Sequence, residues 1–241
     1  MPPPANTPNG KEHAMNSAPR TIATTAEDAS TRRRALLRAS IKPVVFTVLL
    51  ALASMAGAIP IPGTPVPITL QTLVVMVAAL TMSWRQVACS VLLYLAAGAV
   101  GLPVFAGGAS TAALFGPSAG FLIGFLPGAI VTALLKGKAK QRLDASVAAH
   151  ASETSLAAAN AEAADNNRSG LVRYALTALR YFAASIVGCV VVVYAFGFAV
   201  QSALTGVPLA TVALISMGFV AGDLVKAVIA SLTIAAAAVR R

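Results

Sequence analysis

The chain is poor in charge. Only 11% of its 241 residues are Asp, Glu, Lys or Arg, against roughly 25% in an ordinary soluble domain, which disfavours a conventional water-soluble enzyme. Cysteine is scarce as well: Cys89 and Cys189 are the only two, both within apolar stretches, so no disulfide framework is expected. The two histidines, His13 and His150, lie in polar segments with no second ligand nearby. That removes both a zinc site and a Ser-His-Asp arrangement. No loop is built to cradle phosphate, because Gly10-Lys11 and Gly137-Lys138 are followed by Glu12 and Ala139 and lack the upstream glycine of a nucleotide-binding loop. No series of intramembrane carboxylates or histidines suggests a proton relay. The expectation is a protein without catalytic residues, metal or cofactor, one that is not an enzyme and hydrolyses no ATP itself.

What is abundant is apolar sequence, 57% of the chain, gathered into long blocks nearly free of charge. Six such blocks stand out, at about 43–60, 66–82, 86–105, 119–135, 181–201 and 209–238. Each is long enough to approach or exceed the ~20 residues that cross a hydrocarbon layer as a helix, the second and fourth lying near the lower limit. The fourth holds Gly124, Pro127 and Gly128, which predicts a kink. The fold class expected is an all-α integral membrane protein, a bundle of six transmembrane helices.

Charge placement sets the orientation. The net charge of +10 could suggest nucleic acid, but the basic residues flank the apolar blocks instead of forming one face, so they read as topology signals. Arg32, Arg33, Arg34, Arg38 and Lys42 put the N-terminus in the cytoplasm. Six crossings then bring Arg85, the stretch from Lys136 to Arg180, and Arg240 and Arg241 to the same side. Seventeen of the eighteen Lys and Arg residues fall there, with Lys226 the exception. The outer loops 61–65, 106–118 and 202–208 carry no charge. Both termini are therefore expected in the cytoplasm of a multi-pass inner-membrane protein, with lipid as a partner and nucleic acid not.

One polar segment precedes this membrane domain of 43–241 and another is inserted into it. Residues 1–42 form a basic cytoplasmic tail, and the composition of 1–31 reads as disordered. Residues 143–170 are a low-complexity cytoplasmic insertion rich in Ala, Asn, Ser and Glu, with no apolar face to bury.

Within the six blocks, the ionisable pair is Asp223 and Lys226. Each charge costs roughly 2.5–3.5 kcal/mol in the middle of a membrane helix. Their i, i+3 spacing places both on one face, which must turn toward protein or a wet cavity. A structural ion pair is one reading. The functional reading is a binding site in which Lys226 meets an anionic ligand and Asp223 accepts from ligand N–H groups. A second polar cluster, Thr69, Gln71 and Thr72, opens the second helix behind Pro67. Thr69 and Thr72 could serve interhelical bonds alone, whereas the Gln71 amide must find partners away from water. The following outer loop offers Phe105 as an apolar wall and Gly107 and Gly108 for close backbone approach.

These residues resemble a known pattern. The run Ile59 to Thr72, containing Val66-Pro67-Ile68-Thr69-Leu70-Gln71-Thr72, resembles the VPxTLQTL signature of the BioY family, the biotin-binding S components of energy-coupling-factor transporters. The likeness continues through Tyr94-Leu95-Ala96-Ala97-Gly98, Gly101 to Gly108, Gly116 to Phe121, and Gly222 to Lys226, covering roughly 43–237. Two positions depart from it. The family usually reads GPTGGY where this chain has Gly116-Pro117-Ser118-Ala119-Gly120-Phe121, and often has proline at the place of Ala221.

The resemblance implies biotin as transported substrate, bound near the outer side. It also implies a coupling membrane protein and two ATPase subunits as partners, which some members dispense with. Biotin's carboxylate would match Lys226 and its ureido N–H groups Asp223, with backbone amides near Gly107 and Gly108 reaching the ureido carbonyl. Tyr94, Thr69 and Gln71 join the substrate-binding set. Small residues on helix one, Ala53 with Gly57 and Ser54 with Ala58, are the expected partner-docking repeat. A stand-alone secondary transporter of biotin or another small anion is the rival, and a non-transporting scaffold a third reading.

Overall fold

The computed structural model describes residues 40–60, 63, 66–137 and 159–239, with backbone alone for 159–169. Met1–Ile41 and Lys42–Arg241 are separate units, and the core and cavity belong to the second. The tail 1–31, the arginines at 32–38, residues 143–158 of the insertion, and Arg240 and Arg241 lie outside the described residues.

Helices dominate: α1 (Ser40–Met55), α2 (Gln71–Thr81), α3 (Trp84–Ala99), α4 (Ala119–Leu135) and α5 (Ala159–Ser185). α5 runs on through a π-helical segment, Ile186–Val192, into α6 (Val193–Thr205). α7 (Leu209–Ile215) and α8 (Met217–Val239) complete the order. Two helical stretches, Gly170–Thr205 and Met217–Val239, are long and apolar enough to cross a membrane, while α1, α2 and α4 are shorter apolar helices.

Several expected boundaries shift for visible reasons. The second helix starts at Gln71 because Ile59 and Ile68 exchange two backbone hydrogen bonds, at 2.9 and 2.8 Å, which hold the preceding residues extended. The third ends at Ala99, ahead of Gly101 at φ 96°; residues 106–108 and 111–114 then form short 3₁₀ turns. Ser83 starts α3 with a reciprocal capping box to Gln86, which satisfies two otherwise orphaned amides. The last block splits at Ser216 into α7 and α8. Residues 159–170, expected to be a loose insertion, are helical and continuous with α5.

α4 lies at the centre, packed against α2, α3, α6 and the π segment. Its Gly120, Gly124 and Gly128 let the backbones meet: a methyl group at Gly120 would sit 2.4 Å from Phe196 O, and one at Gly128 2.6 Å from Gly188 O. Small residues at four-residue spacing allow this approach. α4 runs through Pro127 as one helix. α1 is stitched to α3 by polar bonds, Thr47 Oγ1 donating to Ser90 O at 2.9 Å and Ser90 Oγ to Pro43 O at 3.0 Å.

Candidate functional site

A cavity of about 470 Å³ opens within the bundle, a size ordinary for small-molecule sites. The α1–α2 connection and the start of α2 contribute Ala58, Ile68, Thr69, Gln71 and Thr72. The α3–α4 connection adds Phe105, Ala106, Gly107 and Ser118, and α4 adds Phe121 and Phe125. Val193 and Tyr194 come from α6, and Phe219, Asp223 and Lys226 from α8.

The polar end is a closed hydrogen-bond set. Asp223 is 4% exposed. Its Oδ1 accepts from Thr72 Oγ1 at 2.7 Å and from Lys226 Nζ at 2.8 Å, and its Oδ2 accepts from the Tyr194 hydroxyl at 2.7 Å. Lys226 Nζ also donates to Thr69 O at 2.6 Å and to Thr72 Oγ1 at 3.0 Å. An ammonium has three N–H donors, and here each has a partner. The ion pair is thus the centre of a network joining α2, α6 and α8, as charges withdrawn from water require.

Thr69 Oγ1 donates to Gln71 Oε1 at 2.9 Å, while Gln71 Nε2 donates to the Tyr94 hydroxyl. Tyr94 in turn donates to Val104 O at 3.2 Å and meets Phe105 edge-on, ring centroids 5.2 Å apart. Tyr94 is therefore behind the wall, supporting Gln71 and Phe105, and does not line the cavity. Phe105 has room because Gly98 carries no side chain; a methyl group there would lie 2.0 Å from Phe105 Cζ.

Of the eight substrate-binding residues expected, Asp223, Lys226, Thr69, Gln71, Phe105 and Gly107 line the cavity. Gly108 does not, and its amide donates to Phe105 O at 3.0 Å inside a 3₁₀ turn, so it is not aimed at a ligand. The two side chains expected to take the carboxylate and the ureido group, Lys226 and Asp223, are themselves paired at 2.8 Å.

The expected docking repeat is not a single exposed stripe. Ala53 and Ser54 are buried, and Ser54 Oγ donates to Val104 O. Gly57 and Ala58 lie beyond the end of α1, and Ala58 lines the cavity. Sequence reasoning passed over Tyr194 and treated Thr72 as ordinary interhelical bonding. Both reach Asp223 across 29 and 151 residues, and no local pattern marks such a contact.

Comparison with known proteins gives a consistent picture. The pattern of the BioY family matches residues 25–241. The chain is 36% identical over 169 residues to the biotin transporter BioY of Rhizobium etli, spanning 70% of this chain and 75% of that protein. It is 29% identical over 188 residues to the probable biotin transporter BioY of Bacillus subtilis, spanning 78% and 83% respectively. A shorter stretch of 93 residues, 38% of this chain and 48% of the relative, is 50% identical to the biotin transporter BioY of Rhodobacter capsulatus. The fold matches the crystal structure of the S-component for biotin from an ECF-type ABC transporter, with a TM-score of 0.64, 22% identity, and coverage of 84% of this chain and 91% of that one. From the signature residues around the cavity to the match along most of its length, this chain belongs to the BioY family.

Proposed function

We propose that the protein binds biotin with high affinity and serves as the substrate-specific subunit of an ATP-driven importer in the cytoplasmic membrane. The observation that carries this is the cavity itself, apolar along most of its wall and closed at one end by the Thr72–Asp223–Tyr194–Lys226 network. Biotin has a matching division, with an aliphatic chain and thioether ring beside a ureido head.

In this reading the ureido N–H groups face Asp223, and Lys226 neutralises that carboxylate while holding the Thr69 carbonyl. Phe105, Phe121 and Phe219 enclose the ring system. Gln71 and Thr69 form the adjoining polar wall, and the valerate runs away from the ion pair. The six-span topology with both termini inside is supported by the sorting of Lys and Arg. With no nucleotide-binding loop in the sequence, the driving energy comes from a coupling membrane protein and two ATPase subunits.

Titration calorimetry of the purified, detergent-solubilised chain with biotin tests the proposal. Saturable binding well below micromolar is expected. Absence of binding at micromolar biotin refutes it, and ion-coupled uptake by the chain alone in proteoliposomes would favour the secondary-transporter alternative.

A further inference from the structure

Asp223 has about four lone-pair sites as a carboxylate. Thr72 and Lys226 occupy both sites on Oδ1, and the Tyr194 hydroxyl occupies one on Oδ2. One acceptor site therefore stays open. Beside it lies the phenol oxygen of Tyr194, whose hydrogen is directed at Asp223 and whose lone pairs are available to the cavity it lines. The Lys226 donors are all engaged. The polar end thus offers one open carboxylate acceptor whose charge the Lys226 ammonium already balances at 2.8 Å, which suits a neutral N–H group, whereas a second cation would be repelled by Lys226.

Tyr194 is held for this task. Its ring stacks on Phe198 at 5.3 Å and meets Phe121 edge-on at 6.0 Å. It also lies two residues past the end of the π-helical segment Ile186–Val192. A π turn takes an additional residue, and such turns gather at functional sites. In an uninterrupted α-helix, one residue fewer would rotate Tyr194 by about 100°, away from α8.

We propose that Tyr194 is a positioning and specificity-determining residue, which limits Asp223 to a single open acceptor and so selects a neutral ureido ligand over a cationic guanidino analogue. This rests on the reading of the cavity as a biotin site. The probes are biotin and 2-iminobiotin, in which a guanidinium replaces the ureido group, titrated against the full chain and its Tyr194→Phe variant.

The parent is expected to bind biotin far more tightly than 2-iminobiotin. Tyr194→Phe should weaken biotin at least tenfold and 2-iminobiotin much less, moving the ratio of the two Kd values at least fivefold toward the cation. Phe198→Leu, which keeps the hydroxyl and loosens its support, should move the ratio the same way by a smaller factor. Equal weakening of both ligands by Tyr194→Phe, or no change in either, overturns the inference while leaving the biotin site standing. Failure of the parent to bind biotin overturns both.

Discussion

Two lysines are drawn into the bundle, and they are handled in opposite ways. Lys226 sits beside a carboxylate, its side chain 12% exposed, inside the network that closes the cavity. Lys136, just past the end of α4, has no carboxylate partner among the described residues. Its Nζ donates to Ala79 O at 2.7 Å and to Met82 O, at the C-terminal end of α2. The carbonyls there carry the negative end of the helix dipole and lack intrahelical partners. Burial pushes the Lys136 ammonium down to about 8. A helix end thus suffices to hold a cation at the rim, whereas the charge within the bundle has a full counter-ion. Only the second arrangement leaves a carboxylate facing a cavity.

The largest effect should come from breaking the inner pair. Asp223→Asn leaves the Lys226 ammonium without its counter-ion, and removing one partner of a buried pair costs about 3–5 kcal/mol. A marked fall in thermal midpoint is expected, together with at least a tenfold loss of biotin affinity. Adding Lys226→Met to that variant should recover much of the stability and none of the binding. If the double variant binds as the parent does, the pair is a structural pin and nothing more.

Lys226→Met alone is the next test. It leaves Asp223 held by Thr72 and Tyr194 and frees the Thr69 carbonyl, so biotin binding should weaken at least tenfold, about 1.4 kcal/mol. Calorimetry reads this directly.

The smallest effect belongs to Lys136→Met, which should leave biotin affinity within about twofold while altering the response of stability to pH. The folded ammonium titrates near 8 against 10.5 for the free side chain, so between those values the unfolded chain binds more protons. Stability therefore rises with pH across that window. Thermal melts from pH 7.5 to 10.5 should show a shallower rise in the variant than in the parent. Parallel curves would mean that Lys136 is not desolvated.

Much of this was legible before any coordinates. The span of α4 coincides with its apolar block, 119–135, and six of the eight substrate-binding residues expected border the cavity. Asp223 and Lys226 announced themselves because an intramembrane charge is costly enough to need a reason. Other features were visible without their packing role. Gly120, Gly124 and Gly128 recur every fourth residue, and only the structure shows that they let α4 approach α6 and the π segment closely. Tyr94 carries a family motif yet stands behind the wall, because its hydroxyl is bound by Gln71 and Val104.

By itself, the order of residues determined the apolar blocks, the placement of Lys and Arg at their flanks, and the helical face shared by Asp223 and Lys226. These follow from transfer free energy and from the 3.6-residue turn, both of which act locally along the chain. Tertiary structure alone decided that Thr72 and Tyr194 complete the carboxylate's partners, that all three Lys226 donors are engaged, and that both charges sit at one end of the cavity. Hydrogen-bond capacity is filled by whatever lies within about 3 Å in space, and for Asp223 two of its three partners come from other helices, Thr72 at 151 and Tyr194 at 29 residues' distance.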